Sequence, residues 1–175
     1  MPEQFEGRAP LGPMRAAGWS PHHLMSDFDL PITAISPKRH RRAVSDLVNR
    51  ERVNHGLPAL RYAPSLTLSA RAWAVILVRD SRFDHGNFAR RALRFPFVLN
   101  GRPRRRAVGE NLATGTGEDS SPRAIVEVWM SSPDHRANIL RNWRYGAVWS
   151  SPDSPEPGKQ RDGVTVVHHF GRNLP

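Results

Sequence analysis

The sequence has no cysteine and only two lysines, and no apolar run approaches the about 20 residues a membrane-spanning helix needs. Without cysteine there are no disulfides and no thiolate metal sites, and the redox compartment is left open. The N-terminus lacks the short apolar core of a secretory signal, so no export signal is visible. Because lysine is nearly absent, arginine carries the basic charge: 24 arginines give a formal net charge of +10. Such a balance favours anionic surfaces, whether acidic polysaccharide, phospholipid or nucleic acid, and its sign does not choose among them. A preference for arginine also follows from a GC-rich genome. At 175 residues the chain fits one ordinary domain with a tail.

The composition divides the chain at residue 37. Residues 1–37 hold six prolines and three glycines with no sustained period, which predicts a flexible leader that folding does not require. Its Trp19, His22, His23, Leu24, Met25 and Phe28 are more apolar than a linker needs, so part of it is expected to dock as a strap. Residues 38–175 form the domain.

Val44, Leu47, Val48 and Glu51 share one stripe of a first helix that Gly56 stops. Asn49 and Arg52, three apart, can meet on one face and tie that helix to a neighbouring loop. After Leu57-Pro58-Ala59-Leu60, the series Leu66, Ala70, Trp73, Ala74, Leu77 predicts a second, strongly buried helix. The period then dissolves into a loop carrying His85 beside Gly86, and Phe88–Phe95 predicts a short basic helix. Asn100–Arg106 reads as a turn followed by a solvated charge run.

Gly109-Glu110-Asn111-Leu112-Ala113 reads as a short segment entering the core between two loops. A carboxylate beside an apolar pair must be paired if it is buried, and backbone amides, an arginine or a histidine would each serve Glu110. Ile125, Val128 and Trp129 predict another amphipathic helix. Ser132-Pro133-Asp134 then restarts a helix as N-cap, first-turn proline and dipole-favoured acid, with His135 and Arg136 in its first turn. The helix end biases His135 towards its neutral form, able to accept a hydrogen bond or ligate a metal. Alternatively, His135 and Arg136 only fix the junction, and His85 is an ordinary surface residue.

Trp143–Ser150 and Val164–Phe170 have strand composition and can pair as an antiparallel hairpin. Helices followed by strands predict an α+β layered domain and not a doubly wound parallel sheet.

Taken together, Leu47-Val48-Asn49 with Arg52, Gly56-Leu57-Pro58-Ala59-Leu60, Leu66 to Trp73-Ala74, and His85 begin a familiar pattern. Gly109-Glu110-Asn111-Leu112-Ala113, Trp129-Met130, Ser132-Pro133-Asp134-His135-Arg136-Ala137-Asn138-Ile139-Leu140 and Tyr145-Gly146 complete it. In their order and spacing these residues resemble the bacterial branch of the CAP superfamily, also called SCP-like. The resemblance spans about Ala43 to Gly171. It implies a three-layer α-β-α sandwich with a central antiparallel sheet, and a cleft where two histidines and two acids converge in eukaryotic members. His85 matches the first histidine and Glu110 the first acid. Ser132 stands where the second acid falls, and the second histidine is expected near Thr165, which is not one. His168 and His169 lie nearby but shifted, and His135 is placed to line the same cleft.

Three functions follow from this reading. The first is an extracellular or envelope-associated monomer that binds a small apolar or anionic ligand, such as a lipid or envelope polymer, at His85, Glu110, Ser132 and His135. The second is a hydrolase in which Glu110 is a general base, or a divalent metal such as zinc on His85 and His135 activates water. The third is nucleic-acid or anionic-surface binding through Arg90, Arg91, Arg94 and Arg102–Arg106; no recognised nucleic-acid motif accompanies that charge, so no specific nucleic-acid partner is expected.

Overall fold

A computed structural model describes residues 26–92, 106–158 and 160–173. Trp19 to Met25 of the leader, Arg94 and Arg102 to Arg105 lie outside the described residues.

Helix α1 (Pro37–Asn54) begins where Ser36 accepts the Arg39 amide and Pro37 opens the first turn, and it ends before Gly56 at φ +73°. It buries Ala43, Val44, Leu47 and Val48. Strand β1 (Arg61–Tyr62) is followed by α2 (Pro64–Arg79), whose Leu66, Ala70, Trp73, Ala74 and Leu77 are all buried as their spacing predicts. The short α3 (Phe88–Ala92) precedes β2 (Arg106–Thr116). After a 3₁₀ turn, α4 (Pro122–Ser131) runs into α5 (Pro133–Ile139), and β3 (Tyr145–Ser151) and β4 (Gly163–Asn173) close the domain.

The sheet order is β1-β3-β4-β2. Residues alternate along β4: Val164, Val166 and Phe170 pack with Val44, Val48 and Trp129 from α1 and α4, whereas Val167 packs with α2 and Leu112. The result is an α+β sandwich of three layers. Its three longer strands are antiparallel, but the sheet is mixed, because β1 runs parallel to β3. Arg52 braces this pairing. Its buried guanidinium donates to Pro58 O at 3.1 Å and to Trp143 O at 3.1 Å, so the segments leading into β1 and β3 are held together.

The Gly109–Ala113 segment is no short insert between loops. It is the middle of an 11-residue edge strand, registered with β4 along its whole length. Its alternation is masked in the sequence because position 109 must stay bare: a Cβ there would come within 2.7 Å of both Asn138 Oδ1 and Trp143 Cζ2.

The described part of the leader, residues 26–36, is a docked strap. Ile32 is 3% exposed, its amide donates to Ser120 Oγ, and Phe28 O accepts the Arg123 amide. Among the described residues no helix is long and apolar enough to cross a membrane.

Candidate functional site

Four elements converge on Glu110. The loop after α2 is fixed from below, since Trp73 Nε1 donates to Asp84 O and the Asp84 carboxylate accepts the Gly86 amide. Gly86 lies flat against Trp73, where a Cβ would come within 2.9 Å of the indole, at a φ of +50° that suits glycine. Arg91 of α3 lies 3.6 Å from the centre of the Trp73 ring and donates to His85 O at 2.7 Å. His85 is thereby held over β2.

In β2 Glu110 stands opposite His169 of β4 and, like Leu112, faces the α2 layer. Glu110 Oε2 accepts from His169 Nε2 at 2.7 Å, and Oε1 accepts from His85 Nδ1 at 2.8 Å. Arg91 Nη2 reaches both oxygens, at 3.1 and 3.0 Å. The Glu110 side chain is 1% exposed, while that of His85 is 54% exposed. Burial alone would raise the Glu110 pKa. The His169 hydrogen bond and charge, the Arg91 charge and the His85 hydrogen bond outweigh it and hold the carboxyl below its ordinary value. Burial depresses His169 against the pull of Glu110.

The carboxylate only accepts, so each facing imidazole nitrogen donates to it. Glu110 therefore has its oxygens committed to three side chains and is not free to act as a general base. Its geometric effect is on His85, whose Nδ1–H is turned inward and whose Nε2 is left for a ligand.

His135 reaches the same strand from the other layer. Asn111 Nδ2 donates to His135 O at 3.1 Å, and Asn138 Nδ2 donates to Glu110 O and Asn111 Oδ1, docking α5 on β2. Because β2 is the edge strand, no further strand lies beyond it to separate the two layers there. Burial lowers the pKa of His135, and the charge of His85 lowers it further against the opposing pull of Asp134. His135 Nδ1 is buried and has no hydrogen-bond partner among the described residues.

Ser132 occupies the cap position of α5, but its hydroxyl makes no capping bond. Among the described residues it has no hydrogen bond to the cluster. Nor do three His, Asp or Glu side chains converge there as a metal-holding group.

Sequence reasoning did not find Arg91 or His169 as partners of Glu110. The histidine expected near Thr165 is found four residues on, because Thr165 pairs with Thr114 and bonds Asp153 O, whereas His169 pairs with Glu110. Only the β2–β4 register reveals this. Arg91 was hidden among neighbouring basic residues, and its one signal was the buried acid's need for a counter-charge.

The comparisons agree with this architecture. The sequence model described as CAP, cysteine-rich secretory protein family, matches residues 45–144. The uncharacterized protein YkwD of Bacillus subtilis (strain 168) is 31% identical over 105 residues, covering 60% of this chain and 39% of YkwD. The chain thus spans well under half the length of that relative. Among solved structures, an outer surface protein from Borrelia burgdorferi superposes with a TM-score of 0.64 at 17% identity, covering 80% of this chain and 97% of that one. An extracellular protein containing an SCP domain from Bacillus anthracis gives 0.58 at 20% identity, covering 79% and 44%. At these identities the structural likeness speaks for the fold.

Proposed function

The chain belongs to the cysteine-rich secretory protein family, and on that premise we propose that it is an extracellular or envelope-associated binding module, acting as a monomer. Its ligand is a small anion, or an apolar molecule with a polar head, received at His85 and His135 with Ser132 at the rim. The observation that carries this reading is the saturation of Glu110. An acid with its oxygens engaged by His85, Arg91 and His169 performs no proton transfer of its own, but it fixes His85 with Nε2 turned away from the carboxylate.

A metal-dependent reading uses the same geometry. A carboxylate behind a histidine is the usual support of a zinc-ligating imidazole, and His85 with His135 would give two ligands, leaving positions for water or substrate. A metal held there would supply a Lewis acid, and Glu110 would serve to orient His85.

The two readings separate in one titration. Zinc is added to the intact protein and to His85→Ala while imidazole NMR signals are followed. In the binding-module reading His85 and His135 shift on adding acetate or laurate without metal. Stoichiometric zinc uptake that His85→Ala abolishes would favour the metal reading. Failure of both zinc and the organic anions to move these signals would sink the site.

A further inference from the structure

A second set of groups lies at the other edge of the sheet from Glu110. Strand β1 covers only Tyr145 and Gly146 of β3, and beyond it α1 and α2 flank an open slot. Two cavities occupy this edge, of 390 and 190 Å³, and both are lined by Ser45 and Tyr62. Their chemistry differs. The larger has Lys38, Arg41 and Arg42 above Val148 and Trp149, and the smaller has Asp46, Asn49 and His168.

His168 is 2% exposed, on the opposite face of β4 from His169, and takes no part in the Glu110 cluster. Its Nδ1 is buried without a partner among the described residues. Its Nε2 faces position 146, where a Cβ would lie 3.0 Å from that nitrogen and 2.7 Å from Leu60 Cδ1. Glycine at 146 therefore keeps the space before the imidazole open, and that space belongs to the smaller cavity. Burial lowers the His168 pKa to about 3, so the ring is neutral and offers one donor and one acceptor.

The surrounding groups are only partly engaged. Asn49 Oδ1 accepts the Leu60 amide, which leaves its Nδ2 to donate. Arg41 lies over the Trp149 ring at 4.6 Å, and Arg42 approaches Asp46 only to 3.9 Å. Among the described residues neither Lys38 nor Arg41 has an acidic partner.

We propose that this double cavity binds an acidic sugar, with its carboxylate at Lys38, Arg41 and Arg42 and its hydroxyls at His168, Asp46 and Asn49. The charge distribution sets that orientation. Asp46 repels a carboxylate from the small cavity, while the cations at the other end attract it. A neutral imidazole, an amide and a carboxylate together donate to and accept from hydroxyls. Exposed Tyr62 supplies apolar ring surface for the C–H face of a pyranose, while the Trp149 ring lies against Arg41 and Arg71 and holds the cationic end in place. A fatty acid would fit worse, because its chain would lie against Asp46 and Asn49, whose desolvation nothing repays.

The test is calorimetric titration of the full chain at low salt with glucuronate, glucose and laurate. Glucuronate should bind saturably, and glucose more weakly. The pair Lys38→Ala/Arg41→Ala, exposed or half-exposed in α1, should weaken glucuronate about tenfold or more by removing charge-assisted hydrogen bonds. His168→Gln, checked for an intact unfolding transition, should weaken glucose and glucuronate alike. The glucuronate binding that the Lys38/Arg41 pair weakens should persist in His85→Ala, which separates this site from the one around Glu110. A glucuronate-containing tetrasaccharide binding more tightly than the monomer would identify a polymer as the source, and equal binding a free sugar acid. No saturable glucuronate binding, equal binding of glucose, displacement by laurate, or indifference to the Lys38/Arg41 pair would overturn the proposal.

Discussion

Glu110 and His169 face each other across the β2–β4 ladder, joined by a 2.7 Å hydrogen bond in which both side chains are almost fully buried. Since Arg91 adds the counter-charge, this is a buried ion pair with an imidazole completing its acceptor needs. Glu110→Gln would leave the guanidinium without its anion in a site where it is 17% exposed. Breaking such a pair costs about 3–5 kcal/mol, so the variant should show a much lower denaturant midpoint. Loss of less than about 1 kcal/mol would mean the cluster is solvated in solution.

Arg52 should be still less replaceable. It is 0% exposed and donates to four carbonyls, those of Pro58, Ile139, Arg141 and Trp143. Arg52→Met leaves them unpaired, at about 1–3 kcal/mol for each one that water does not reach. Arg52→Lys should recover only part of the loss, because a single ammonium cannot span four acceptors. Full stability of the lysine variant in a urea melt would refute this account.

Acid should destabilise the domain in two stages. His40, bonded to Ser150 Oγ and Ser120 O, and His168 are both held below the ordinary value of 6.5, chiefly by burial. In this window the unfolded chain binds more protons than the fold does. Their contribution is complete above about pH 6.5 and shrinks as the pH falls, in the case of His168 down to about 3. Glu110, with its pKa below the ordinary 4.5, adds stability that is present above that value and is lost as the pH falls through its folded pKa. Urea midpoints should therefore decline from pH 7 to pH 5 and fall faster below 4.5. A flat midpoint between pH 7 and 5 would mean that the buried histidines titrate normally.

The strap should matter to folding. Ile32 and Ile35 are buried, and Phe28 packs against the same core. Ile32→Ala should cost about 2–5 kcal/mol, and deleting Met1–Ser36 should lower the unfolding midpoint further. Limited proteolysis offers the check: a stable fragment beginning near Lys38 would show the strap to be dispensable.

What could be read in advance follows from where the information lies. The stripes of α1 and α2 are local, so Leu47, Val48, Trp73 and Leu77 announce their burial through spacing alone. Asn49 and Arg52 were legible for the same reason, being one turn apart. The partners of Glu110 were not, because they depend on a strand register and on a loop folding back over Trp73. His169 is 59 residues from Glu110, and nothing local says which of two adjacent histidines will face it. Ser132 shows the opposite failure. Its motif announced a cap, yet the hydroxyl makes no capping bond.

The position of Arg52 bears on how such a chain matures. One guanidinium joins α1 to the Pro58 crossing and to the residues between α5 and β3, across as many as 91 positions of sequence. Long-range ties of this kind are made covalently by cystine in many small exported domains. Here the tie is a set of hydrogen bonds from one charged guanidinium to neutral carbonyls, and it closes when the helix and the carbonyls meet. No oxidant or isomerase is needed for it, and a thiol reductant has nothing to cut.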